Sequence, residues 1–295
     1  MILDYIIWNA DPVLFRIGNV VIRWYSVLLV LSFYISYLFV DYIFEREHVS
    51  KTTMHTFGIY IIVGLFLGGR LVHCLFYEPE YYLKFPLDMI KPWRGELGNG
   101  AKFVGYKGMS GHGSAIGIVL GLVINAIRTK TSIIWIIDRI AIFGPLIGFF
   151  VRIGNLFNSE ILGTPSSLPW AFIFRRVDST PRHPVQLYEA IIYLILFVIS
   201  YEYYRRRTGK EKPGAILGLV LVLVYTSRFF LEFFKADQSR IESTMNLNMG
   251  QILSIPFIII GVVLLLRPAR NRRGIDNKRD SYRNNDNNTQ SLSED

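Results

Sequence analysis

Long apolar runs alternate with shorter polar stretches along most of this 295-residue chain. A helix needs roughly 20 apolar residues to cross the hydrocarbon of a bilayer, and most of the runs approach or reach that length. The third run begins with glycines and is only marginally long. The pattern therefore predicts an all-α polytopic membrane protein with about seven transmembrane helices, at about residues 20–44, 53–76, 109–127, 133–150, 187–204, 214–230 and 247–266.

Two longer polar insertions and a polar tail interrupt or follow these runs. Residues 77–107 carry prolines, charges and many aromatic residues, which predicts an arm at the outer membrane surface. Residues 151–186 are too long for a simple turn and predict a small extramembrane head. Residues 267–295 are almost without apolar side chains, so we expect a disordered basic and polar cytoplasmic tail. Residues 1–266 then form a single transmembrane domain.

Charge placement orients the predicted helices. The formal charge is +9, but the basic residues lie mainly between apolar runs and in the tail. This distribution favours anionic lipid as a partner and argues against nucleic acid. The basic cluster Arg205–Arg207 and the tail share the cytoplasmic side if the N-terminus is outside. The first fifteen residues contain Asp4 and Asp11 and no basic residue, so we expect no cleaved signal peptide.

A polar cluster arrives where the fourth apolar run ends, and it begins with Arg152. A guanidinium at the edge of hydrocarbon needs a partner, and its fork of donors suits a phosphate or a carboxylate. Asn155 lies three residues further on and shares a helix face with Arg152. Glu160 follows, and Gly163 permits close backbone approach to a ligand. The alternative is an arginine that reaches to the membrane interface, followed by an ordinary loop.

Other polar residues occupy the predicted helix ends at the outer face. In the predicted topology the ends that can converge there carry Tyr25, Arg70, His112, Arg152 and Arg228. Several arginines around one point describe a site for a phosphate headgroup, and a histidine can transfer a proton near neutral pH. Alternatively, these residues form interhelical ion pairs, such as Arg228 with Glu232 on one helix face. The sequence has no metal-ligand spacing and no nucleotide-binding loop, so it predicts no metal and no cofactor.

The stretch Arg152–Gly163 resembles the signature of the bacterial prolipoprotein diacylglyceryl transferases, in which a glycine, an arginine and an asparagine lead to Asn-x-Glu-x-x-Gly. Val151 and Leu156 replace the usual glycine and phenylalanine, which are apolar changes. Tyr225 lies one residue closer to Arg228 than the family tyrosine, so no role is transferred to it. Across about residues 12–266, further similar motifs are Arg23–Tyr25 (with arginine for the usual histidine), Gly69–Tyr77, Met109–Gly113, His183–Glu189, Arg228–Phe234 and Met249–Pro256.

The resemblance implies an enzyme of the bacterial cytoplasmic (inner) membrane with its active site facing the outer leaflet. Its partners would be phosphatidylglycerol, a prolipoprotein signal peptide with its lipobox cysteine, and membrane lipids. The enzyme would move the diacylglyceryl group to the cysteine thiol, forming a thioether and releasing glycerol phosphate. A lipid-binding scaffold or transporter without transfer chemistry is the alternative, because the arginines alone fit both.

The resemblance also implies roles for individual residues. Arg152 and Arg228 would hold the phosphate, and either His112 or Tyr25 would help to deprotonate the thiol, whose thiolate is the nucleophile. The remaining expected phosphatidylglycerol-binding residues are Asn155 and Glu160 for the headgroup hydroxyls, Glu232 for orienting Arg228, and also Gly163 and Arg70.

Overall fold

The computed structural model of this chain is mostly helical, and each predicted apolar run overlaps one helix or, in the fourth run, two. The predicted tail, from residue 268 onwards, and parts of the predicted arm lie outside the described residues. The residues that the structure describes are 5–18, 20–49, 51–91, 93–94, 102–103, 109–207, 212–236 and 247–267.

Nine α-helices occur within the described residues. They are α1 (Trp24–Arg46), α2 (Lys51–Phe76), α3 (Pro79–Tyr82), α4 (Gly111–Arg128), α5 (Ile133–Ala141), α6 (Gly144–Asn158), α7 (Val185–Arg207), α8 (Ala215–Leu231) and α9 (Met249–Leu266). Short 3-10 turns follow at Pro86–Met89 in the arm and at Glu232–Phe234 after α8.

Among the described residues, fewer helices are long and apolar enough to cross a membrane than the seven that the sequence predicts. Five of them, α1, α2, α7, α8 and α9, are long and apolar enough to cross a membrane. A sixth span results if α5 and α6, which are bent by 41° relative to one another, count as one. Helix α4 is apolar but shorter. The break lies at Ile142 and Phe143, just before Gly144 and Pro145 begin α6, since a proline is tolerated in the first turn of a helix but not in its interior.

Short strands correct the all-α prediction. Strands β1 (Ile6–Trp8), β6 (Phe172–Phe174) and β7 (Pro181–Arg182) form one sheet in the order β1-β6-β7, with β1 parallel to β6. The hairpin β2 (Val13–Ile17) and β3 (Val20–Arg23) leads into α1, and β4 (Trp93–Arg94) pairs with β5 (Lys102–Phe103) in the arm. Strands of two to five residues are too short to give a clear alternating pattern, so they were missed.

The head also begins later than predicted. Helix α6 continues to Asn158, past the predicted end at residue 150, so the arginine cluster lies on a helix and not in the head. The polar segment that carries β6 and β7 starts after this helix.

Buried charges join α1, α5 and α8 at one end of the bundle. Arg139 of α5 donates to Glu47 through Nε and Nη2, both at 2.9 Å. Asp138 accepts hydrogen bonds from the backbone of Gly214 at 2.7 Å and Leu217 at 2.9 Å, which caps the start of α8. Both charges, which lie inside the fourth predicted run, thus have polar partners within the bundle.

Helices α2 and α4 pack through glycines. A Cβ atom at Gly117 would collide with the carbonyl oxygen of Gly64, and one at Gly113 would collide with that of Gly68. The two backbones can approach this closely only because side chains are missing on both sides. The seam brings the beginning of α4, with His112, beside the part of α2 that carries Arg70.

Candidate active site

The last turns of α6 carry a linked run of polar side chains. Arg152 Nη1 donates to Asn155 Oδ1 at 3.3 Å, and Asn155 Nδ2 donates to Glu160 Oε1 at 2.7 Å. Asn158 Nδ2 donates to the same oxygen of Glu160 at 3.0 Å. Arg152 and Asn155 are buried, whereas Glu160 is exposed. The predicted common face of Arg152 and Asn155 is confirmed, and the run leads from the helix interior to the surface.

A sharp turn places Glu160 back against the helix. Ser159 ends α6 in the left-handed region with φ 55°, and Ile161 has φ 58°. The N–H of Glu160 returns to the carbonyl oxygen of Asn155 at 3.1 Å. Gln186 Nε2, at the start of α7, donates to the carbonyl oxygen of Glu160 at 2.8 Å. These bonds fix the backbone that presents the carboxylate.

The counter-ion of Arg152 is Glu189 of α7. Arg152 Nε lies 2.8 Å from Glu189 Oε2, and the glutamate side chain is completely buried. The other oxygen, Oε1, lies 2.9 Å from Lys235 Nζ, and Lys235 Nζ also lies 2.9 Å from Glu232 Oε2. Arg152 is therefore buried and paired within the bundle, and its side chain does not extend to the surface as the alternative interpretation required.

Sequence reasoning did not assign Glu189 or Lys235 to the site. Glu189 lies at the polar start of the fifth predicted span, where a carboxylate among apolar residues is itself a signal. Lys235 lies three residues after Glu232, a spacing that allows pairing on a helix. The link between Lys235 and Glu189 joins two helices distant in the sequence, and no local pattern indicates it.

The segment after α8 pairs with the segment after Glu160. Gly163 and Lys235 form an antiparallel bridge, with hydrogen bonds from Thr164 N to Phe234 O at 2.8 Å and from Ala236 N to Leu162 O at 3.0 Å. A Cβ atom at Gly163 would collide with the carbonyl oxygen of His183. The structure thus gives Gly163 a close backbone contact that only glycine permits.

Tyr25 packs directly on α6. A Cβ atom at Gly154 would lie 2.7 Å from Cδ2 of Tyr25, so the ring lies over this glycine, two residues from Arg152. The neighbouring Trp24 stacks on Phe157 with ring centroids 5.0 Å apart. The start of α1 is therefore held against the same end of α6 that carries the polar run.

Tyr193 of α7 lies within electrostatic range of both Arg152 and Arg228. The tyrosine ring itself packs over Gly148, since a Cβ atom there would lie 2.7 Å from Cδ2. Arg228 is partly buried and makes no ion pair within the part of the chain that the structure describes. The two arginines that the sequence assigns to phosphate binding thus both lie near Tyr193.

The expected pair of Arg228 with Glu232 is not what the structure shows. Helix α8 ends at Leu231, and Glu232 begins a 3-10 turn that ends at Phe234, just before Lys235. Glu232 pairs with Lys235, and Gly250 of α9 leaves room for it, because a Cβ atom at Gly250 would collide with the carboxylate. Glu232 is therefore connected to Glu189 and Arg152 through Lys235.

Arg70 and His112 belong to another part of the molecule. Arg70 donates to the arm, from Nε to Met89 O at 2.9 Å and from Nη2 to Tyr82 Oη at 3.0 Å. His112 is exposed at the beginning of α4, next to the N-cap Ser110. No hydrogen bond or ion pair among the described residues connects His112 with the Arg152 network. The predicted site residues on α1, α6 and α8, and in the turns after α6 and α8, lie in one region. Arg70 and His112 lie apart from them, on α2 and α4.

The head is tied to this network through Arg182. Its Nη2 lies 2.6 Å from Asp178 Oδ2, and its Nη1 donates to the carbonyl oxygen of Gly163 at 3.3 Å. The hydrogen bond from Arg182 holds the pKa of the Asp178 carboxyl below its ordinary value. A charged Asp178 therefore helps to fix the arginine that contacts Gly163.

The fold and the site define a polytopic membrane protein with a buried, arginine-containing polar network at one end of its helices. The family model described as prolipoprotein diacylglyceryl transferase matches residues 12–267, and the chain belongs to this family. The resemblance read from the motifs is thereby confirmed, and the chain is a transferase.

Curated relatives cover nearly the whole chain. One from Bacteroides fragilis is 41% identical over 258 residues, which are 88% of this chain and 93% of the relative. One from Chloroherpeton thalassium is 40% identical over 269 residues, covering 90% and 96% of the two chains. One from Tolumonas auensis is 37% identical over 266 residues, covering 90% and 98%. All three are named phosphatidylglycerol–prolipoprotein diacylglyceryl transferase.

Proposed function

We propose that this chain transfers the diacylglyceryl group of phosphatidylglycerol to the lipobox cysteine of prolipoproteins. The observation that carries the proposal is the hydrogen-bonded run from the buried Arg152 and Asn155 to Glu160 at the surface, in a chain of this transferase family. A guanidinium and an amide held at a fixed spacing can bind a phosphate and the hydroxyls next to it. The relatives' names favour transfer over a scaffold or transporter that only binds lipid.

The transfer reaction exchanges one bond for another. The cysteine sulfur attacks the glyceryl carbon that carries the phosphate, a carbon–sulfur bond forms, and the carbon–oxygen bond to the phosphate breaks. Glycerol phosphate leaves with the bonding electrons. Arg152 and Arg228 stabilise the charge that develops on the departing phosphate oxygen. Asn155, Glu160 and the backbone at Gly163 orient the headgroup hydroxyls.

Either His112 or Tyr25 assists the deprotonation of the thiol. Tyr25 lies over Gly154, close in sequence and space to Arg152, which supports it as the base. His112 is exposed at the start of a glycine-rich helix, which gives an incoming peptide access to it. Arg70 has a role in holding the arm, and lipid binding through it would need a change in those contacts.

The multi-pass protein belongs, in this proposal, in the bacterial cytoplasmic membrane with its N-terminus outside. Counting α4 and the bent pair α5–α6 as one span each gives seven crossings. The polar network then faces the outer leaflet, and the basic end of α7 faces the cytoplasm. A reporter that is active only in the cytoplasm, fused after Asp295, should be active. Activity of a periplasmic reporter at that position would contradict the count.

Lipid transfer to a peptide tests the activity itself. Purified protein in bicelles would be given phosphatidylglycerol with labelled acyl chains and a signal peptide that contains a lipobox cysteine. We expect label on the peptide, and no label when serine replaces the cysteine or when phosphatidylcholine replaces the lipid. Phosphatidylglycerol that binds but is never transferred would support the scaffold or transporter instead.

A further inference from the structure

Lys235 is a buried cation that touches two buried carboxylates. Its side chain is 3% exposed, and its Nζ lies 2.9 Å from Glu189 Oε1 and 2.9 Å from Glu232 Oε2. An ammonium group in such a place must be compensated, and each carboxylate must be compensated as well. Lys235 therefore balances the negative charge of both glutamates, and it also donates a hydrogen bond to Glu232 Oε2.

The backbone holds this lysine at a fixed place. Lys235 forms the antiparallel bridge with Gly163, and its N–H donates to the carbonyl oxygen of Glu232 at 3.2 Å. The carbonyl oxygen of the preceding Phe234 accepts from Thr164 N at 2.8 Å. The position of the ammonium group is thus tied both to the end of α8 and to the segment that follows Glu160.

The network alternates in charge as Arg152, Glu189, Lys235 and Glu232, so its formal charges cancel. Arg152 contacts Glu189 through Nε, while its Nη1 faces Asn155. Arg228 makes no ion pair among the residues that the structure describes. The charge of Arg228 is consequently not balanced by a carboxylate of this network, which suits a site for an anion.

Removing the lysine would release two acidic groups beside two arginines. Glu189 would keep one uncompensated oxygen, and the nearest cation in contact with it is Arg152. Glu232 would be free to pair with Arg228, which lies four residues earlier. Because an uncompensated buried carboxylate is costly, both arginines would turn towards protein carboxylates and away from a ligand.

We propose that Lys235 is a positioning residue that keeps Glu189 and Glu232 from occupying the arginines that bind the lipid phosphate. It does not touch the phosphate itself. Its effect is exerted through the number of guanidinium donors that Arg152 and Arg228 can offer. This inference rests on the proposed function, since it assumes that both arginines bind the phosphate of phosphatidylglycerol.

The direct test is the affinity for phosphatidylglycerol. Binding of a fluorescent phosphatidylglycerol to the purified full chain in phosphatidylcholine bicelles would be measured by anisotropy. Lys235→Met should weaken binding by about tenfold or more, as expected when charge-assisted hydrogen bonds are lost. Lys235→Arg should retain binding to within about threefold, since the positive charge stays. Lys130→Met, at an exposed position in the loop between α4 and α5, is the control and should bind like the parent.

A double variant separates positioning from structural support. Lys235→Met combined with Glu232→Gln removes the carboxylate that would capture Arg228, so it should bind at least about threefold more tightly than Lys235→Met alone. A lysine that served only to hold the fold would give the opposite result, with equal or weaker binding in the double variant. If Lys235→Met does not accumulate in the membrane, the charge-balanced double variant carries the test. The double variant should then keep a measurable preference for phosphatidylglycerol over phosphatidylcholine. A double variant without that preference would overturn the inference.

The outcomes distinguish this inference from the proposed function. A parent protein with no preference for phosphatidylglycerol over phosphatidylcholine would contradict the proposed function. A parent with that preference and a Lys235→Met variant of equal affinity would overturn only the role of the lysine.

Discussion

Arg152 Nε lies 2.8 Å from a carboxylate oxygen of Glu189, a residue whose side chain is completely buried. The pair connects α6 to α7 and orients the guanidinium through its Nε atom. Removing one partner of such a pair leaves an uncompensated charge, which typically costs about 3–5 kcal/mol. Changes at Arg152 must therefore be judged per amount of folded protein.

Arg152→Lys should insert and fold but lose most of the transfer activity. A lysine can still pair with Glu189, but its ammonium cannot also reproduce the fork that reaches Asn155 and a phosphate. The loss of one such contact is worth roughly 2–4 kcal/mol, or about thirty- to a thousandfold in rate. The measurement is the transfer rate per amount of detergent-stable protein.

Arg46→Lys is the matched control for this change. Arg46 is the last residue of α1 and is exposed, so the substitution should be silent. If Arg152→Lys keeps more than about half of the parental rate, the arginine does not clamp the phosphate. Arg152→Ala should be worse than Arg152→Lys, since it also leaves Glu189 with one cation fewer.

His112→Gln should slow transfer strongly while phosphatidylglycerol still binds, if this histidine accepts or relays the thiol proton. Residues with such roles typically contribute about a hundredfold or more. Tyr25→Phe is the companion change, because it removes the other candidate and keeps the ring that packs on Gly154.

Comparing the two variants assigns the base. A near-normal rate for His112→Gln together with a large loss for Tyr25→Phe would move the role to the tyrosine. The lipid affinity of both should match the parent, because neither residue is assigned to the phosphate.

Gly117→Ala should destabilise the pair of α2 and α4. The new Cβ atom would collide with the backbone carbonyl of Gly64, which cannot move aside as a flexible side chain could. Overpacking of this kind typically costs about 1–3 kcal/mol. The unfolding temperature in detergent should fall.

Gly58→Ala is the control on the same helix pair. It lies on α2, and a Cβ atom there would meet no atom within 4 Å. Alanine should be neutral or slightly stabilising because it favours a helix over glycine. Equal unfolding temperatures for Gly117→Ala and the parent would mean that the seam is looser than the structure indicates.

Asp178→Asn should loosen the head in a pH-dependent way. The pKa of Asp178 is lowered in the folded protein by its bond to Arg182, so the charged carboxylate stabilises the fold above its ordinary pKa of 3.8. That contribution disappears as the pH falls through the lowered value. The parent should therefore resist proteolysis between α6 and α7 better than the variant at pH 7.

The same difference should vanish in acid. When proteolysis with an acid-active protease is followed below the lowered pKa, parent and variant should be cleaved alike. A difference that stays constant from pH 7 into acid would show that the carboxylate charge does not matter at this site.

Hydrophobic runs predicted the helices well because each run is long and nearly uniform. The pairing of Arg152 with Asn155 followed from their spacing alone. The break before α6 coincides with Gly144 and Pro145, a pair typical of the start of a new helix. The strands were too short to leave a pattern in the sequence.

Contacts between distant segments could not be predicted in the same way. Arg70 was expected at the lipid site, but it binds the arm, whose fold depends on contacts that no local pattern shows. The partnership of Lys235 with Glu189 likewise depends on how the end of α8 meets α7. Residue type indicated that these charges need partners, and only the packing decides which ones they find.

The capping of α8 by Asp138 has a mechanical consequence. The carboxylate of Asp138 holds the first turn of α8. The ion pair of Glu232 with Lys235 holds the residues just after the last turn of α8. A helix fastened at both ends can tilt little without breaking hydrogen bonds at one end. The distance between the guanidinium groups of Arg152 and Arg228 should therefore change little with thermal motion. The protein supplies this rigidity when it folds, so little reorganisation is left for the moment at which the lipid arrives.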